Sequence, residues 1–589
     1  MADIDAFQFF KDELSNFQDD SSERRKILGR ITLIAGALGK AETLEKLVPF
    51  LNTCATTDPY DKDDEFLFLV AREYKHMPDH LPPDEWRTLV PPLESLGTQD
   101  ETLVREEAIK TLSSLVGQAT QKNLAFDTML PVLRRLSGAD WFSPRCSACM
   151  LFPAVYGVAT DTVKAELRKE YIALCNDDTP MVKRAAARSL AALVSVVDKK
   201  DFFADIMPTF TKLAAEDTDV VRVEMVKVLV SLCRILDAGD AKEHVVDRVA
   251  KACTDKSWRV RLQIARSLVE FCKGLPQALA SDLVKVWGDL LKDQQREVKI
   301  TAIMALKDCM PLVSAESIQT NVTPRFQELA SDFSTDVRTA LAKVIGYVAA
   351  HIGRAGTLQG EPNLLATIME LLKDEFAEVR LNVVAQTGKI CEVLGIDPVQ
   401  QLLNTLHSLA MDNNWRIRME VVQQIPLLGA QFGTELFQNK LQGLFLGFLA
   451  DSVHAVRLAA VDNVEPIAKA FGATWTAEHF MPKLLEQNSA TQSYLNRLTS
   501  LHALSKVSCV LSADQVAQLV VPVLVEAMKD KVPNVKFCSC RIIKELADEK
   551  KLSSASISSK LKPAVTELRS QDADGDVQVE ARRVLEVIG

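Results

Sequence analysis

Aromatic residues make up only 6% of this 589-residue chain, and glycine and proline number 23 each. That is too little Gly and Pro for a collagen-like or disordered chain. Basic excess is missing too: the formal net charge is −10 and the pI about 5.5. Sustained nucleic-acid binding needs a cationic surface that displaces counterions, so a DNA or RNA partner is not expected. No apolar run approaches the roughly 20 residues of a membrane helix. The opening MADIDAFQFFKDEL has neither a basic region nor an apolar core, so it does not read as a signal peptide. Chemistry-bearing motifs are absent as well. Gly353, Gly356 and Gly360 do not form a dinucleotide fingerprint, and there is no phosphate loop, G-x-S-x-G elbow or H-E-x-x-H. The eight histidines lack metal-ligand spacing. No enzyme activity, cofactor or metal is expected.

What is present is apolar content, at 47%, and a repeat. An acidic residue, then an aliphatic one, then Arg or Lys recurs in DDTPMVKR, EDTDVVR, DKSWRVR, DQQREVK, DFSTDVR, DEFAEVR, DNNWRIR and DSVHAVR. The basic residues are Lys183, Arg222, Arg261, Lys299, Arg338, Arg380, Arg418 and Arg457, in steps of 39, 39, 38, 39, 42, 38 and 39. Weaker copies lie at Val104–Arg105, Arg145, Arg497, 529–536 and 572–578, and degraded ones near Asp20–Arg24 and Asp64–Leu67. The total is about 15 units, and a single array is expected over 1–589.

Each unit reads as two helices. Apolar residues follow the turn at i+4 and i+8, as in Val221, Met225 and Leu229, or Ile417, Val421 and Ile425. That spacing is one face of a helix, here called helix B. The acidic residue before it suits a helix N-terminus. Helix A precedes the turn and often carries a proline, such as Pro131, Pro208, Pro324, Pro522 or Pro563, which predicts a kink. A kinked first helix and a 39-residue period define HEAT repeats rather than 34-residue tetratricopeptide or 33-residue ankyrin units. The fold class is therefore all-α, a HEAT-repeat α-solenoid. Residues 351–363 and 552–560 are expected to be longer loops.

Twelve scattered cysteines suit reduced thiols in a helical core. The C-x-x-C of Cys146 and Cys149 and the C-x-C of Cys538 and Cys540 lack the second pair a zinc site needs. The repeated Asp and Arg are read as bridges between adjacent turns. Trp141, Trp258 and Trp415 sit at turns, the last two followed by Arg259 and Arg416. Trp and Arg are enriched at binding hot spots, so these turns are read as partner contacts. Trp86, Trp287 and Trp475 are assigned to core or loop.

GADWFSPRCSAC, CNDDTPMVKRAAARSLA, DKSWRVR, DEFAEVRLNVV, DNNWRIR and VPPLESL resemble the scaffold (A, 65 kDa regulatory) subunit of protein phosphatase 2A. The resemblance implies a curved, horseshoe-like scaffold of a heterotrimer. Repeats up to about residue 335 would take a variable B-type regulatory subunit, through Trp141, Phe142, Asp178, Thr179, Pro180, Met181, Arg184, Trp258 and Arg259. Repeats from about 365 to 589 would take the phosphatase catalytic subunit, through Trp415, Arg416, His454 and Tyr494. Lys183 departs from the family's arginine, and the turns in YDKDDEFLFL and TQSYLNR diverge. A cytoplasmic location is expected, with the nucleus left open. Another HEAT adaptor, such as a nuclear transport receptor, is the alternative.

Overall fold

A computed structural model describes residues 6–16, 21–57, 62–82, 85–119, 122–360, 363–487 and 493–589. The degraded repeat copy at Asp20–Arg24 begins outside the described residues. Among the described residues all regular secondary structure is helical, and no helix is long and apolar enough to cross a membrane. The chain divides into two compact units, Met1–Leu290 and Leu291–Gly589.

Each unit is a stack of helix pairs. In the first, the B helices Phe142–Val158, Pro180–Val194, Asp219–Leu232 and Trp258–Gly274 pack each on the next. In the second, Arg296–Cys309 packs on Thr335–Leu358, and Trp415–Leu436, His454–Trp475, Tyr494–Val507 and Pro533–Asp548 follow one another in the same way. The i+4 and i+8 residues named above are the seam: Val221, Met225, Leu229, Ile417, Val421 and Ile425 are all buried. At about 1.5–3 kcal/mol for each buried aliphatic side chain, this stripe supplies the main attraction between neighbouring repeats.

At four prolines helix A turns through a particular geometry, whereas Pro131 lies inside a single helix, Lys122–Ser137, without the predicted break. Five-residue π turns at Thr43–Leu47, Phe202–Ile206, Thr476–Phe480 and Ile557–Leu561 end two residues before Pro49, Pro208, Pro482 and Pro563. Proline cannot donate to the carbonyl four residues back and its ring crowds that group; a wider turn relieves the crowding. Two further π turns, Lys242–Val246 and Phe437–Leu441, place Arg248 and Gly443 at the proline position. The bend thus belongs to the repeat, and proline is one residue that fits it.

Over their described residues, both stretches expected as long loops are largely helical. Thr335–Leu358 continues through His351, turning at Gly353 (φ 72°, ψ −178°), and Ser554–Leu561 is a short helix plus a π turn. In sequence the glycines and serines there read as breakers; in the fold they form the corner into the next helix A. Gly433 and Gly472 make the same corner at φ 83°, a backbone region open almost only to glycine. A Cβ at Gly433 would meet nothing within 4 Å. Gly433→Ala is therefore expected to cost about 1–3 kcal/mol through backbone strain alone. Gly443→Ala, at an uncrowded helical site, should be neutral or stabilising. Urea denaturation of the two variants checks the contrast.

Candidate functional site

The turns between helices A and B are organised around the repeated basic residue. Arg222 donates from Nη1 to the Glu216 and Asp217 carbonyls of its own turn, at 2.6 and 2.8 Å. Its Nε and Nη2 reach both carboxylate oxygens of Asp255 on the next turn, at 2.9 and 2.8 Å. The carboxylate in turn accepts the Ser257 backbone N–H at 2.8 Å. The same rung recurs at Arg145–Asp177 in the first unit and at Arg338–Asp374, Arg380–Asp412, Arg418–Asp451 and Arg497–Asp530 in the second. Lys299–Asp332 and Lys536–Asp572 are its lysine forms. The bridging reading of the repeat is correct. The capping reading needs adjustment: the carboxylate holds the N–H of the residue before the first helical one, not a free N–H of the helix itself.

The rung is dry enough to matter. The side chains of Arg338 and Asp374 are 9% and 7% exposed. Burial pushes the Asp255 carboxyl up, but bonds from Arg222 and the Ser257 N–H outweigh it, and the net effect lies below the usual carboxylate range. Asp177, Asp451, Asp530 and Asp572 show the same balance. At Lys183 the rung is loose, with Nζ 3.7 Å from Glu216 Oε2, because a single ammonium replaces the guanidinium fork.

This ladder fixes which turn residues face outward. Phe142, Pro180, Trp258, Trp415, His454 and Tyr494 are each the first residue of helix B, three residues before the rung position. Six residues singled out from separate motifs thus fall on one structural position. In the first unit Trp141 is 59% exposed; its ring lies 5.2 Å from that of Phe142, and its Nε1 donates to Asp100 Oδ1 at 3.1 Å. Position 139 is alanine, so no carboxylate is available there, and Trp141 and Ser143 tie this turn to the previous one through Asp100 instead.

Asp178, Pro180, Met181 and Arg184 are exposed on the next turn. Thr179 is partly committed to the ladder, since its hydroxyl accepts from Arg145 Nη2 at 3.1 Å. Trp258 is half-buried under Arg259, whose guanidinium lies 5.4 Å from the ring centroid and 3.2 Å from Asp219. The turn of Asp219 separates Trp258 from the Asp178–Met181 group. In the second unit Arg416 lies over Trp415 at 4.8 Å, and Asn414 caps their helix through the Arg416 N–H. His454 and Tyr494 are exposed on the following two turns.

Sequence reading passed over three exposed apolar residues on the same edge: Phe333 (87% exposed), Met411 (79%) and Phe376. The signal was an apolar residue inside an otherwise polar turn, as in DFSTDVR and DEFAEVR. The cysteine pairs are core. Cys146, Cys149, Cys538 and Cys540 are buried, and burial pushes the last two thiols up to about 12. No group of three His, Cys, Asp or Glu side chains among the described residues could hold a metal. Trp287 and Trp86 are buried, and Trp475 packs against Phe471.

A stack of two-helix units keyed by a buried Arg–Asp ladder defines the chain as a HEAT-repeat protein. Residues 245–275 match the HEAT repeat family model, and 276–353 the model described as PPP2R1A-like HEAT repeat. Within that class it is similar to 65 kDa regulatory A subunits of serine/threonine-protein phosphatase 2A, as the turn motifs suggested. The A beta isoform of Homo sapiens is 43% identical over 388 residues, 65% of this chain and 63% of that protein. The A alpha isoform of Arabidopsis thaliana is 40% identical over 33% of this chain and 32% of its own length. The PP2A 65 kDa regulatory subunit of Drosophila melanogaster is 39% identical over 32% and 30%. The chain thus spans less than two thirds of the length of these relatives. Kap121p bound to Pho4p shares the fold at TM-score 0.62 and 14% identity, covering 99% of this chain and 64% of that one. Kap95p does so at TM-score 0.52 and 13%, covering 97% and 79%.

Proposed function

We propose that this chain is a non-catalytic scaffold that assembles a protein phosphatase 2A holoenzyme. The observation that carries the reading is the shared register. Residues resembling the family's contact motifs occupy the first positions of several B helices, on the turns that carry the ladder residues. The relatives are named as regulatory subunits, which supports a role without catalysis. Trp141, Phe142, Asp178, Thr179, Pro180, Met181, Arg184, Trp258 and Arg259 take a variable regulatory subunit. Trp415, Arg416, His454 and Tyr494 take the catalytic subunit. Two proteins docked on separate stretches of turns raise each other's effective concentration, and the regulatory partner sets substrate choice. The holoenzyme works in the cytoplasm. The likeness to Kap121p and Kap95p, at 14% and 13% identity, speaks to fold alone and does not favour a transport adaptor.

The test is size-exclusion co-elution with a phosphatase 2A catalytic subunit, wild type beside a Trp415→Ala, Arg416→Ala double variant. A hot-spot aromatic is worth about 2 kcal/mol or more, so affinity should fall at least about 30-fold. Trp258→Ala with Arg259→Ala should leave that complex intact and weaken regulatory-subunit binding. A folded wild type that does not bind the catalytic subunit would overturn the proposal.

A further inference from the structure

One rung of the first unit is half-built. Arg105, on the B helix Thr102–Gln118, donates from Nη1 to the Gln99 and Asp100 carbonyls of its own turn, at 2.7 and 3.1 Å. Arg145 and Arg222 anchor themselves in the same way, on the carbonyls six and five residues back. Each of those two then directs Nε and Nη2 at a carboxylate of the next turn. For Arg105 that place is held by Ala139. It stands three residues before the first residue of its B helix, as Asp177 and Asp255 stand before theirs. The remaining bond of Arg105 is a 3.3 Å contact from Nη2 to the Thr102 hydroxyl.

Two acids stand close in sequence and do not fill the place. The Asp100 carboxylate accepts from Trp141 Nε1 and Ser143 Oγ, and Asp140 is one residue out of register. Among the described residues no carboxylate bonds to Arg105. The residue is nevertheless 6% exposed, the same as the fully paired Arg222. A buried guanidinium whose N–H groups lack an acceptor keeps the desolvation cost that its counterparts offset. The place is also open to the surface. Ala139 is half-buried, and Leu103 and Trp141, on the two turns that flank it, are exposed.

We infer that the gap beside Arg105 takes an Asp or Glu side chain of the docked regulatory subunit, which completes the rung in trans. The ladder itself shows what this place accepts, since Arg145 and Arg222 each hold a side-chain carboxylate there. The flat edge of a guanidinium matches two carboxylate oxygens at once. A protein side chain fits the surroundings better than a free ion, because Leu103 and Trp141 offer apolar contact on either side that only a larger partner uses. The inference rests on the reading of Trp141 and Phe142 as regulatory-subunit contacts, and adds the charge that fixes the partner's register beside them.

The experiment compares the whole wild-type chain with Ala139→Asp, Ala139→Asn and Arg105→Met. It measures affinity for a purified B-type regulatory subunit and the urea transition of the free chain. Ala139→Asp fills the gap from within. Its urea midpoint should rise, and its affinity for the regulatory subunit should fall about tenfold, because a charge-assisted hydrogen bond is worth roughly that factor. Ala139→Asn makes the same change of shape without the charge and should keep most of the affinity. Arg105→Met leaves no lone charge behind, so the chain should still fold, while affinity falls by the same factor. Adding Ala139→Asp to Arg105→Met should then bring no further loss and no gain in stability. A folded wild type that does not bind the regulatory subunit overturns the regulatory-contact reading and this inference together. A wild type that binds, beside an Ala139→Asp variant that binds equally well or gains no stability, overturns this inference alone.

Discussion

Arg418→Ala is expected to destabilise the second unit by about 3–5 kcal/mol, the cost of breaking a buried pair from one side. Arg418 holds Asp451 at 2.7 and 2.8 Å and the Asp412 carbonyl of its own turn at 2.7 Å. Alanine removes all three bonds and leaves a buried carboxylate without its guanidinium partner. Arg418→Lys should recover part of the loss, because Lys299 and Lys536 reach the equivalent carboxylates with one ammonium. Replacing both partners, Arg418→Met with Asp451→Leu, should cost less than the alanine variant, since no lone charge remains. Repeat arrays depart from two-state unfolding, so urea transitions should be read with amide hydrogen exchange in 415–436 and 454–475. If Arg418→Ala unfolds at the wild-type urea concentration, the ladder is not what holds the turns together.

The second large effect is a steep loss of stability in acid. Asp177, Asp255, Asp451, Asp530 and Asp572 all titrate below the usual carboxylate range when folded. A depressed folded pKa means that the unfolded chain binds protons first. The stabilisation is therefore complete above the unfolded value of about 3.9 and disappears as pH falls through the lower folded values. Each proton taken up on unfolding contributes a slope of about 1.4 kcal/mol per pH unit. With five such carboxylates the slope should be steep below about pH 4. His351 and His502 add an earlier, shallower loss: burial lowers both, so the unfolded chain begins to protonate them near pH 6.5 while the folded chain resists. Denaturant titrations from pH 8 to pH 3 measure the profile, and Asp451→Asn should reduce the acid slope. A flat profile between pH 5 and pH 3 would contradict the ladder's charge state.

The period, the two-helix unit and the buried stripe were all legible in the sequence, because each is a local pattern repeated many times. Helical spacing puts Val260, Ile264 and Leu268 on one face whatever surrounds them, and all three are buried. The repeated Asp and Arg were legible as a bridge, since opposite charges at a fixed period have few other uses in a stacked array. The turn tryptophans were legible by composition alone. That Trp258 and Trp415 open helix B while Trp141 sits one residue before it was not, because it depends on where the backbone of each turn enters the helix.

Tertiary structure decided the remainder. It turned two stretches read as loops into helix corners, because Gly353 adopts a backbone conformation that lets one helix run directly into the next. It set the partner of Lys183 as Glu216, which stands six residues before Arg222 as Asp255 stands six before Arg261. It also brought Lys307 and Lys389, from separate repeats, against the ring of Tyr347. A sequence fixes periodic features by itself because each repeat carries them. Contacts between different repeats depend on how far one unit is rotated on the next, and only the packed stack sets that rotation.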